Sequence, residues 1–231
     1  MNKNIFKLFF KFLIVAFVAT GICLTPPERS TEQFWFFTLQ TNIFVALIQI
    51  ILSASLIFEL FGKQFKFTTS LAFSRIRILS SFFITITGLV YCFILAPCGI
   101  IFDGMSFSEL FDFRNILLHI VVPILAIADY LFFCNKGIIS YKQFWLFLIY
   151  PFVYSVVIYL RVAFGGKPFF SGSYYPYFFF DPLHESQGLL LVSIYLTIMA
   201  LMFTSLAIMY IWIDKRIANK QNKLLQRKKS V

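Results

Sequence analysis

Charge is scarce in this chain, and acidic charge scarcest. Only 13% of its 231 residues are charged, with 10 Asp and Glu against 20 Lys and Arg. A soluble domain covers itself with about twice that charge density, so a water-facing globule is excluded. Histidine occurs twice and cysteine four times, without CxxC or HExxH spacing, so no metal site is expected and no cofactor. The 10 Gly and 8 Pro build no nucleotide-binding loop, and no period of the length seen in solenoids is present. No stretch between the apolar runs is long enough to form a separate soluble domain.

What is abundant is apolar surface. Hydrophobic residues make up 60% of the chain, Phe alone numbers 33, and mean hydropathy is +0.84. These values define an all-α polytopic membrane protein, expected as a single bundle of six transmembrane helices. The excess of Phe, Ile, Lys, Asn and Tyr resembles the drift of an AT-rich bacterial genome. Apolar runs long enough to cross a bilayer place helices over about 8–25, 34–61, 78–95, 113–133, 144–164 and 187–213, the six-helix domain being 1–214. The basic start resembles a signal peptide but lacks a small-x-small cleavage site, so the first run reads as a retained helix. The Pro97-Cys98-Gly99 turn is expected to end the third helix, and Pro123 and Pro151 to kink the fourth and fifth.

Six spans put both termini on one side. The termini with the second and fourth loops hold 16 of the 20 Lys and Arg, which predicts cytoplasmic termini in a cell membrane. The basic tail, 215–231, is expected to meet anionic lipid headgroups, and nucleic acid is not an expected partner. The oligomeric state leaves no mark in the sequence.

Polar residues inside the spans carry the functional signal. In the second helix Thr38, Thr41, Asn42, Val45 and Gln49 follow i, i+3, i+4, i+7, i+11 and so share one face. Unpaired amides and hydroxyls in hydrocarbon cost several kcal/mol, so this face is expected to meet other helices. In the fourth, Asn115, His119, Val122, Ala126 and Asp129 share a face, and in the fifth Tyr154, Ile158 and Arg161 do. Topology puts Thr38, Thr41, Asn42, Asn115, His119, Tyr159 and Arg161 at one depth near the outer surface, with Tyr154 a little deeper. Asp181, His184 and Glu185 fall at the outer mouth, and the aromatic loop Tyr174 to Phe180 in the headgroup region.

A hydroxyl, an imidazole and a guanidinium at one depth suit nucleophilic attack on an acyl carbon. Histidine can take the proton of an otherwise weak threonine nucleophile, and Arg161, Asn42, Asn115 or a Tyr hydroxyl can hold the oxyanion. The same residues can equally pair across helices as interhelical hydrogen bonds, and Arg161 can snorkel to the interface. Cys23 and Cys98 lie near the same surface and can pair, although apolar packing serves all four cysteines.

The segments WFFTLQTNIFVAL, RNILLHIVVPILAIADYLFF, YPFVYSVVIYLRVAFGG and YPYFFFDP resemble, in order, the successive signatures of the bacterial six-helix Pr-six-Pr family. That family is distantly similar to the animal androgen-induced-gene family of membrane threonine hydrolases, which cleave fatty acid esters of hydroxy fatty acids. Matched through the aromatic-Thr pair, the resemblance implies Thr38 as nucleophile and His119 as its partner, with Thr41 a nearby rival. It also implies membrane lipid and a fatty acyl ester as the molecules met by the site. The competing expectation is a non-catalytic lipid or small-molecule binding or transport protein using the same residues.

Overall fold

The computed structural model describes residues 3–27, 31–63, 65–101, 104–183 and 188–229, whose regular elements are all helices, with no strand among them. His184 and Glu185 lie outside the described residues. Six helices are long and apolar enough to cross a membrane, making this a multi-pass membrane protein by length and composition. They are α1 (Lys3–Cys23), α2 (Phe37–Leu60), α3 (Leu71–Ile101), α4 (Phe113–Phe133), α5 (Leu146–Ala163) and α6 (Gly188–Lys229). Contacts group the chain into two compact units, 1–135 with α1 to α4 and 136–231 with α5 and α6.

In the first unit α1 and α3 each pack against both α2 and α4. The latter two face each other diagonally across the centre, where a fully apolar layer of Ile14, Val18, Val45, Ile84, Val122 and Ala126 draws on all four helices. Dispersion and close packing hold this layer, since lipid is as apolar as the side chains themselves. The polar stripe of α2 thus meets the polar face of α4, with Thr38 and Asn42 on one side of the apolar layer and Gln49 on the other.

Two helices take in a proline in the same way. Pro97 does not end α3, which runs on to Ile101. A proline normally clashes with the carbonyl four residues back. Here the helix widens over Tyr91–Leu95 into a π turn in which the Ala96 N–H bonds the Tyr91 carbonyl, five residues back, so Pro97 enters without breaking the helix. In α4 the same widening spans Leu117–Val121, the Val122 N–H bonds the Leu117 carbonyl, and Pro123 follows. The start of α3 also lies earlier than expected, because Ser70 caps it by accepting from the Phe73 N–H at 3.1 Å.

Gly88 lets α3 approach the π turn of α4. A β-carbon there would lie 3.0 Å from the His119 carbonyl oxygen and 3.2 Å from Pro123 Cβ. Gly88→Val is therefore expected to destabilise the first unit by about 1–3 kcal/mol. Thermal unfolding in detergent checks it, and an unchanged midpoint would contradict this packing.

In the second unit, Ser140 and Gln143 form a capping box ahead of α5, and Asp214 of α6 accepts the Gly137 N–H at 2.6 Å. The 42-residue α6 does not stop at residue 213 but continues to Lys229. Residues 215–229 hold neither Gly nor Pro and are mostly Lys, Arg, Gln, Leu, Asn and Ala, so little opposes helix. None of the four cysteines is in a disulfide.

Candidate functional site

The candidate site sits where α2 begins. Phe36 is the N-cap of α2 and is extended, with no side-chain cap, so Thr38 falls in the first turn, where backbone N–H groups lack intrahelical acceptors. The preceding loop is fastened by Gln33, whose Oε1 accepts from Thr25 Oγ1 at 2.8 Å and from Arg114 Nη2 at 3.3 Å. Asp112 caps α4 by accepting the Asn115 N–H at 2.6 Å.

Thr38 and His119 meet. Thr38 Oγ1 lies 3.2 Å from His119 Nε2, and His119 Nδ1 lies 3.1 Å from the Asn115 carbonyl oxygen. A carbonyl only accepts, so Nδ1 carries the proton and Nε2 presents its lone pair to the Thr38 hydroxyl. The ring is buried and stacks on Tyr91 with centroids 3.7 Å apart and planes at 19°. Tyr91 is itself fixed, because its hydroxyl donates to the Leu110 carbonyl, which also accepts from Asn115 Nδ2 at 2.9 Å.

The rival threonine is placed differently. Thr41 is fully buried, and its Oγ1 lies 2.7 Å from Thr87 Oγ1 and 3.1 Å from the Thr38 carbonyl. No imidazole is among these partners. Asn42, also fully buried, donates from Nδ2 to the Thr38 carbonyl at 2.8 Å and to the Leu118 carbonyl at 3.1 Å. The second contact follows from the chain chemistry. Carrying the π-turn register one residue past Val122 would require an N–H at position 123 to serve the Leu118 carbonyl, and proline has none. Asn42 replaces that donor.

Asn42→Ala is accordingly expected to cost about 1–3 kcal/mol by orphaning a buried carbonyl. The loss should shrink in a Pro123→Ala background, where the backbone can donate again. Thermal unfolding of the two single variants and the double checks this, and strict additivity would contradict it.

The remaining candidates belong to the second unit and are engaged there. Arg161 donates from Nη1 to the Tyr174 carbonyl at 2.9 Å and from Nη2 to the Lys167 carbonyl, with its guanidinium 4.4 Å over the Phe169 ring. Tyr159 donates to the Phe180 carbonyl at 3.2 Å, and Tyr154 packs edge-on against the Phe180 ring. Asp181 accepts from Ser173 Oγ at 2.7 Å and from the Leu183 N–H at 2.8 Å. Burial, with the Asp181 carboxylate adding to it, pushes the Tyr175 phenol up. Together these residues order the aromatic loop after α5.

Sequence reasoning overlooked Tyr91 and Thr87, which the π turn and the length of α3 bring to the site. The one available signal was the row Thr87, Tyr91 at i, i+4 beside Gly88. Compared with known proteins, the chain matches no family model, no curated protein and no solved structure.

Proposed function

We propose that this membrane protein is a threonine-type hydrolase of fatty acyl esters, with Thr38 as nucleophile and His119 as general base. The observation that carries the reading is the 3.2 Å contact from Thr38 Oγ1 to a His119 Nε2 whose lone pair is directed at it by the Nδ1 contact to the Asn115 carbonyl. Nε2 takes the hydroxyl proton as Oγ1 attacks the acyl carbon. The alkoxide then leaves with that proton and an acyl-threonine remains. Water, deprotonated by the same nitrogen, attacks the acyl carbon and releases the acid, and the threonine regains its proton.

The oxyanion falls to the Thr38 and Leu39 N–H groups at the start of α2 rather than to the Asn42 amide, whose two hydrogens are already directed at carbonyls. With the termini cytoplasmic, as the basic residues indicate, the site lies at the level of the outer leaflet of the cell membrane. Membrane lipid is its neighbour there. The resemblance to the six-helix Pr-six-Pr family implies the same roles.

The alternative, a non-catalytic lipid or small-molecule binding or transport protein, draws on the burial of His119 under Tyr91, as expected of an interhelical hydrogen bond. A fluorophosphonate probe on the purified protein in detergent separates the two. The hydrolase reading expects labelling of wild type and Thr41→Ala, and none of Thr38→Ala or His119→Ala. A folded wild type that takes no label overturns it in favour of binding.

A further inference from the structure

A second polar cluster, on the other side of the apolar layer, takes no part in the proposed hydrolysis. His119 and Asp129 are ten residues apart on α4, about 15 Å along the helix. Each helix of the first unit contributes one residue: Lys11 from α1, Gln49 from α2, Arg77 from α3 and Asp129 from α4. Lys11 Nζ lies 2.7 Å from Asp129 Oδ1 and donates to Gln49 Oε1 at 3.2 Å. Gln49 Nε2 donates to Asp129 Oδ2 at 3.3 Å. Arg77 Nη2 reaches the same Oδ2 at 3.3 Å and the Phe133 carbonyl at 3.4 Å, both long contacts.

Two cations therefore meet one carboxylate. Lys11 and Asp129 form the short pair and cancel. The guanidinium, which does not lose its proton, leaves a positive charge in excess among the helices. Its Nε is buried and has no hydrogen-bond partner among the described residues. Uncompensated charge at this depth is costly.

Beside it lies a cavity of about 10 Å³, lined by Arg77, Gln49, Asp129, Ser80 and Ser81 among others. That is room for one water-sized sphere. A monatomic anion needs less of this space than phosphate or sulfate does. The Ser81 hydroxyl donates to the Ala126 carbonyl at 3.3 Å, and Asp129 already accepts from three groups. We infer that this cavity is a halide site in which chloride is held by the Arg77 guanidinium with the Ser80 hydroxyl and the second amide hydrogen of Gln49.

The test uses the full chain purified in detergent and equilibrated in sodium gluconate. Thermal unfolding is followed as chloride, bromide or sulfate replaces gluconate at constant ionic strength. Chloride and bromide are expected to raise the midpoint by a few degrees, about what ligand linkage gives well above Kd, and sulfate to leave it unchanged. Ser80→Ala should weaken the chloride response about tenfold in concentration, Arg77→Gln should abolish it, and Thr38→Ala should leave it intact. A wild type that responds equally to all the anions overturns the site, as does a folded Ser80→Ala or Arg77→Gln variant with the full response.

Discussion

Thr38→Ala is expected to lower the hydrolysis of a long-chain p-nitrophenyl ester by about a thousandfold or more, with His119→Gln falling by a similar factor. The size follows from the pair acting as one device. Without the hydroxyl no acyl-enzyme forms, and without Nε2 the hydroxyl keeps its proton. The double variant should then be little worse than either single one, since each change removes the same step. Thr41→Ala should behave oppositely. Its hydroxyl faces Thr87 and a backbone carbonyl, so its loss lowers stability while turnover persists. Initial rates on matched amounts of folded protein decide the matter. Full activity in Thr38→Ala would remove the nucleophile from the account.

The largest stability effect is expected at Asp129. Replacing it with Ala leaves Lys11 and Arg77 facing each other inside the first unit without a counter-charge, at a cost of about 3–5 kcal/mol. Lys11→Met should cost far less, because Asp129 then keeps Arg77 as its partner and the charge of the cluster comes to balance. The asymmetry is the informative part. A structure held together simply by counting ion pairs would suffer comparably from either change, whereas two cations around one carboxylate make the carboxylate the critical member. Thermal unfolding of the two variants side by side reads this directly, and equal losses would contradict it.

The sequence made the meeting of α2 and α4 legible because helical periodicity is a local property. The spacing Thr38, Asn42, Gln49 and the spacing His119, Asp129 each define a face, and polar faces in a bilayer must find each other. That reasoning brought Thr38, Thr41 and Asn42 to the depth of Asn115 and His119, and the family resemblance then implied Thr38 and His119 among them. It did not reach Lys11 or Arg77. A Lys or Arg near the end of an apolar run reads as an interfacial charge, and only the packing of α1 and α3 against both partners turns these two inward. The π turns were equally hidden, since a bond to the fifth residue back rather than the fourth is decided by tertiary packing. Pro97 consequently read as a stop although the widened turn admits it. Arg161 was read by depth and helix face, and the carbonyls of Tyr174 and Lys167 that hold it come from a loop whose path the sequence does not dictate.

The most direct measurement of the central claim is to treat the wild-type protein with a fluorophosphonate, digest it, and locate the adduct by mass spectrometry. A single adduct on Thr38, absent when His119 is replaced by Gln, is the result the account predicts. An adduct on Thr41, or no adduct on a protein that unfolds cooperatively, would contradict it.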